Sequence, residues 1–121
     1  MKLRVTTNSI RIRVRKSDLE QLKATDWVYE EVAFPGGGKW SFGLTMKGDT
    51  ITARLSDNTV IVNLPREEAM AWINSEQVGI ECNLPLEGEA PLHLLIEKDF
   101  PCKADEENIA DTFFELNKGT C

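Results

Sequence analysis

Residues 51–64 read ITARLSDNTVIVNL, and this stretch decides the predicted fold. Apolar side chains occupy every second position on both sides of the pair Asp57-Asn58. Such alternation around a short turn is typical of a β-hairpin with one buried face. The buried face is predicted to consist of Ile51, Ala53, Leu55, Val60, Val62 and Leu64.

The segments before this hairpin predict three strands and a helix. Apolar residues alternate with arginines from Leu3 to Val14, and Asn8 is expected to kink or turn that strand. A capping box of Ser17 and Glu20 predicts a short helix that ends near Lys23. Two strands, over residues 27–34 and 40–46, are joined by a proline and three glycines.

The segments after the hairpin predict a helix and two strands. Pro65 suits the first turn of a helix, in which Ala69, Trp72 and Ile73 form the apolar stripe. Strands are expected at residues 78–86 and 92–96. The order β-α-β-β-β-β-α-β-β predicts an α+β fold: a single, mostly antiparallel, curled sheet of six to seven strands, with two helices packed on it. The sequence shows no internal repeat.

Length and charge limit the classes of function. A chain of 121 residues is one domain, 1–121, of which residues 101–121 are expected to form a polar tail docked on it. The net charge is −6, although residues 1–25 carry seven Lys/Arg against two acids. This balance argues against nucleic-acid binding. The absence of a long apolar run and the odd number of cysteines indicate a cytoplasmic protein without membrane contact.

Arg11, Arg13 and Arg15 are the candidate site residues, because alternation places them on the same side of one strand. Three guanidinium groups in a row can bind phosphate or carboxylate groups, or an acidic partner. The same arginines can instead pair with acids on neighbouring strands, for which Glu30, Glu97 and Asp99 are the candidates. Both readings stay open at this level.

The cysteines and the single histidine predict no catalytic, metal or cofactor site. Cys82 shares the parity of the apolar residues around it and is expected in the core, whereas His93 should face solvent or a partner. The tail is expected to be fixed either by Phe113 and Phe114, or by a link between Cys102 and Cys121.

Trp40 and Trp72 belong to predicted buried faces. Trp27 and Tyr29 share a parity on a strand that is apolar on both sides, which indicates a subunit interface.

Three segments carry a resemblance to a known family. They are NSIRIRVRKSDLEQL at residues 8–22, WINSEQVGIE at 72–81 and LLIEKDFPC at 94–102. Together they resemble a bacterial family of small α+β proteins of unknown function. The resemblance implies a bacterial, cytoplasmic, single-domain protein and assigns no chemical role to any residue.

The function expected from the sequence is that of a non-enzymatic binding or protein-interaction domain, with a homodimer as one form of the interaction. The alternative is a protein that binds, or acts on, a phosphorylated or carboxylated small molecule through the arginine-lined face. A concave pocket of unpaired arginines would favour this alternative, and a flat surface of acid-paired arginines would favour the first reading.

Overall fold

A computed structural model describes residues 1–100 of the chain. In chain order, the elements are β1 (Lys2–Thr6), β2 (Ser9–Val14), α1 (Lys16–Thr25), β3 (Trp27–Ala33), β4 (Lys39–Met46), β5 (Thr52–Ser56), β6 (Thr59–Leu64), α2 (Arg66–Ile73), β7 (Gly79–Leu86) and β8 (Glu89–Lys98). The hairpin predicted from residues 51–64 is confirmed as β5 and β6, but Leu55, predicted on its buried face, is 73% exposed. Asp57 and Asn58 form its turn with positive φ angles of 51° and 62°, which two-residue hairpin loops favour.

The prediction of one curled, mostly antiparallel sheet is wrong. The strands form two four-stranded sheets, which we call the first sheet (order β1-β2-β8-β7) and the second sheet (order β3-β4-β6-β5). Both are mixed, because β2 pairs in parallel with β8 and β4 pairs in parallel with β6. Alternation and turn residues identify antiparallel neighbours in the chain, but they contain no signal for parallel pairing between distant strands.

The amino-terminal strand is also a hairpin, so the predicted order lacked one strand. Thr7 and Asn8 form a two-residue turn, and Thr6 pairs with Ser9 across it. Asn8 has a φ of 51°, a left-handed conformation that asparagine tolerates better than most residues. The expected kink or turn at Asn8 is therefore a turn, and it reverses the direction of the chain.

The two halves of the described chain repeat the same order, β-β-α-β-β, although no repeat is visible in the sequence. Each sheet combines the first hairpin of one half with the second hairpin of the other. Asn8 and Asn58 occupy equivalent turns, and their carbonyls accept hydrogen bonds from the equivalent amides of His93 and Ser41. From residue 7 to residue 23, Asn8 is the only residue identical to its counterpart fifty positions later.

One hydrophobic core joins both sheets and both helices. Leu22 of α1 and Trp72 of α2 lie at equivalent positions, and both are fully buried. The indole nitrogen of Trp72 donates to the carbonyl of Val78 at 3.0 Å, which satisfies its polar group inside the core. The other members are Ile12, Val14, Leu19, Val28, Leu44, Met46, Val62, Leu64, Ala69, Ile80, Leu94 and Ile96.

The helices start close to their predicted positions, but the predicted capping box is wrong. Helix α1 begins at Lys16, after Arg15, so Ser17 already lies inside the helix. The residue that reaches back is Asp18, whose carboxylate accepts the backbone N–H of Arg15 at 2.8 Å. Helix α2 begins at Arg66, so Pro65 is its N-cap and not its first helical residue, and it ends at Ile73.

Candidate binding surfaces

The outer face of the first sheet brings together two of the three candidate arginines. Arg11 and Arg13 lie on β2, and both donate to the Oε1 atom of Glu97 on β8, from their Nε atoms at 2.8 Å and 3.2 Å. The Glu97 side chain is only 7% exposed, against 22% for Arg11 and 28% for Arg13. Arg15 lies apart from them, at the start of α1, and its side chain is largely exposed.

The charges around Glu97 determine its ionisation. Burial opposes ionisation of this carboxyl group and by itself would raise its pKa, but the hydrogen bonds and positive charges of Arg11 and Arg13 outweigh burial. The pKa of Glu97 is therefore lower than that of an ordinary glutamate. A hydrogen bond from Lys2 is the main reason that the pKa of Asp99 is also lowered. Glu97 thus occupies the position at which an anion would meet Arg11 and Arg13.

His93 lies on the same outer face, as its parity predicts, and both of its ring nitrogens have partners. Its Nδ1 atom is 3.2 Å from the hydroxyl of Ser9, and its Nε2 atom is 2.6 Å from a carboxylate oxygen of Glu81. Alternation alone did not bring Ser9 and Glu81 to attention, because their contacts with His93 depend on the pairing of β8 with β2 and with β7. The equivalent positions of the second sheet hold Ser41 and Thr59, whose hydroxyls are 2.9 Å apart. A side-chain hydrogen bond across the parallel pair is therefore common to both sheets.

The outer face of the second sheet carries a pair of exposed aromatic rings. Trp27 and Tyr29 of β3 stack with their ring centroids 4.7 Å apart and an interplanar angle of 2°. Trp27 is 46% exposed and Tyr29 is 45% exposed. Gly43 pairs with Tyr29 across β3 and β4, where a Cβ atom would lie 2.8 Å from the Cβ of Tyr29. The glycine therefore permits the close approach of β3 that supports this aromatic pair.

Within residues 1–100, strand β3 lies at an edge of the second sheet and pairs with β4 alone. The amide of Met46 donates to the carbonyl of Asp26, and the amide of Phe34 donates to the carbonyl of Gly38. Antiparallel pairing alternates between bonded and non-bonded residues, so even-numbered residues of β3 bond to β4. The amides of Tyr29, Glu31 and Ala33 therefore point away from the sheet.

The other three edge strands are less suited to accept a further strand. Strand β1 carries Lys2 and Arg4 and has five residues, and β5 also has five. Strand β7 contains Pro85 and an irregularity between Leu84 and Leu86. Short length, positive charge, proline and bulges are common protections of sheet edges. Strand β3 has seven residues and neither a proline nor a bulge, and its charged side chains are the acidic Glu30 and Glu31.

The predictions for the cysteines have different outcomes. Cys82 is a half-buried free thiol, and burial, followed by the charge of Glu68, raises its pKa. Cys102 and Cys121, and with them the predicted link and tail, lie outside the described residues.

Within residues 1–100, no group of three or more His, Cys, Asp or Glu side chains has an arrangement that could hold a metal ion. No helix in that part of the chain is long and apolar enough to cross a membrane.

Comparison with known proteins yields one match. A family model described as a family of unknown function, DUF7009, matches residues 1–116. No curated protein matches the sequence. No solved structure matches the fold.

Proposed function

We propose that this chain, which belongs to the DUF7009 family, is a non-enzymatic binding domain that captures an extended segment of a protein partner along the edge of β3. One observation carries the proposal. An edge strand without proline or bulge presents outward backbone groups beside a stacked, half-exposed pair of Trp27 and Tyr29. Strand addition uses backbone hydrogen bonds for affinity and alternate side chains for specificity.

The exposed apolar side chains of β3 and its turn support the same surface. Val32 is 44% exposed and Phe34 is 53% exposed, and their parity is opposite to that of Trp27 and Tyr29. An added strand would therefore contact the aromatic pair on one side and these two residues on the other. Exposed aromatic residues of this kind are enriched where proteins bind one another.

A homodimer through β3 stays a prediction, and the charges of the strand oppose it. Glu30 and Glu31 are adjacent, so antiparallel pairing of two β3 strands would bring four glutamates into one short ladder. Like charges across neighbouring strands are destabilising. Bacterial origin and cytoplasmic location also stay predictions.

Binding of a phosphorylated or carboxylated small molecule through Arg11, Arg13 and Arg15 likewise stays a prediction. Such a ligand would have to displace Glu97 from Arg11 and Arg13. The acid-paired arrangement is the one that favours the interaction domain over this alternative.

A proline at the outward-facing position of Glu31 tests the proposal. Proline removes the outward N–H but no hydrogen bond to β4, so the Glu31→Pro protein should remain folded, as edge strands tolerate proline. The probes are three fluorescein-labelled heptapeptides in which valine alternates with lysine, glutamate or threonine. We expect at least one peptide to bind the unmodified protein and none to bind Glu31→Pro, measured by fluorescence anisotropy.

The matched control is Leu55→Pro at the edge of β5, where the side chain is exposed and the amide also faces away from the sheet. Circular dichroism checks that both variants are folded. Should no peptide bind the unmodified protein, or should Glu31→Pro bind as well as the unmodified protein, the β3 edge would not be the binding site.

A further inference from the structure

We infer, resting on the proposed function, that the partner segment of β3 alternates basic residues with branched apolar ones. An added strand would have two sides, which would contact different residues of β3. Side chains of successive residues point to opposite faces of a sheet. A segment paired with β3 thus places every second residue beside Trp27, Tyr29 and Glu31, and the remaining residues beside Val28, Glu30 and Val32.

The outer side of β3 is suited to contact lysine or arginine. The side chains of Trp27, Tyr29 and Glu31 occupy every second position of β3. Two aromatic rings and a carboxylate group therefore lie in a row on this side of the strand. Cations bind the faces of tryptophan and tyrosine, and a nearby carboxylate adds a charge-assisted hydrogen bond. The side chain of Glu31 is 46% exposed, and Lys39 lies 3.7 Å from it. That distance is longer than a hydrogen bond, so Glu31 retains capacity for a further donor.

The inner side suits apolar residues. Val28 is buried, Val32 is half-exposed, and Glu30 between them accepts a hydrogen bond from the amino group of Met1 at 2.7 Å. With this carboxylate already paired, the contact available on the inner side is the valine surface and the adjacent Phe34. A branched aliphatic side chain covers such a surface and favours the extended conformation.

The overall charge points in the same direction. The chain carries a net charge of −6, and residues 26–121 carry seven Lys/Arg against eighteen Asp/Glu. An acidic surface accelerates association with a basic partner and disfavours an acidic one. A single extended segment with basic and apolar residues at alternate positions is therefore the partner that fits both sides of β3.

The same three heptapeptides test this inference separately from strand addition itself. We expect the lysine–valine peptide to bind at least about tenfold more tightly than the glutamate–valine peptide. Raising the salt concentration from about 50 mM to about 300 mM should weaken its binding, since exposed charges are screened. Trp27→Ala and Glu31→Gln should each weaken it about threefold or more, with little change for the threonine–valine peptide.

Glu20→Gln, which removes an exposed carboxylate on α1, is the control for net charge and should leave peptide affinity unchanged. If the glutamate or threonine peptide bound as tightly as the lysine peptide, the basic partner would be wrong while strand addition would stand. If no peptide bound, both proposals would fail. A dimer in native mass spectrometry that Glu31→Pro dissociates would identify a second copy as the occupant, and would overturn the basic partner.

Discussion

At the scale of single residues, Glu97 is the group on which the outer face of the first sheet depends most. One carboxylate, nearly excluded from solvent, accepts hydrogen bonds from two guanidinium groups. The equivalent pair in the second sheet is uncharged, with Thr45 donating to Asn63 at 2.8 Å. The same position across the parallel strands therefore holds charged groups in the first sheet and a neutral hydrogen bond in the second.

Glu97→Gln should lower the free energy of unfolding by about 1–3 kcal/mol near neutral pH, because it removes the charge that compensates Arg11 and Arg13. The pKa of Glu97 is lowered in the folded state, so its ionised form stabilises the fold at pH values above the unfolded pKa of about 4.3. That contribution is lost as the pH falls through the lower, folded pKa. The measurement is urea denaturation of both proteins across this range.

Glu20→Gln on the exposed surface of α1 provides the comparison, with an expected change within about 0.5 kcal/mol at every pH. A stability difference between Glu97→Gln and the unmodified protein that did not shrink on acidification would contradict a role for the carboxylate charge.

Residue parity in the sequence was sufficient to place several side chains, but not their partners. Alternation put His93 on an outer face, the apolar stripe of the second helix put Trp72 in the core, and the structure has both there. It named Glu97 among three acids that could pair with the arginines. The choice among those acids depends on the β2–β8 register, in which Arg13 lies opposite Glu97, and no local pattern specifies that register.

At the scale of elements, antiparallel hairpins were the most predictable feature. The hairpin β5–β6, the glycine-linked pair β3–β4 and the strands β7 and β8 all follow from alternation and turn residues. The amino-terminal hairpin was harder, because Thr7-Asn8 is a weaker turn signal than Asp57-Asn58 and the apolar residues continue on both sides. The capping residues of α1 were misassigned because Ser17 and Glu20 imitate a capping box, whereas Asp18 makes the observed bond.

At the scale of the whole molecule, the fold is an exchange of hairpins between two equivalent halves. The central strands of each sheet come from different halves, and the partners Ser9 and His93 are 84 positions apart. A sequence without visible repeats gives no indication of this exchange. The parallel pairs β2–β8 and β4–β6 join the halves, so neither half contains a complete sheet.

Division of the chain between Asp49 and Thr50, in the connection from β4 to β5, tests the exchange. Neither fragment, 1–49 or 50–121, should form a folded monomer, because each lacks the parallel partners of its two central strands. An equimolar mixture should recover the circular dichroism of the intact protein and elute as a one-to-one complex. Two fragments that each folded as independent monomers would contradict the exchanged topology.

Residue-resolved amide hydrogen exchange of the full chain tests most directly whether β3 is an open edge. The structure predicts slow exchange for the amides of Val28, Glu30 and Val32, which bond to β4, and fast exchange for Tyr29, Glu31 and Ala33, which face outward. Addition of the lysine–valine peptide should slow the second set. Uniformly slow exchange along β3 without peptide would mean that another segment or copy already covers the edge, and would contradict the proposed binding surface.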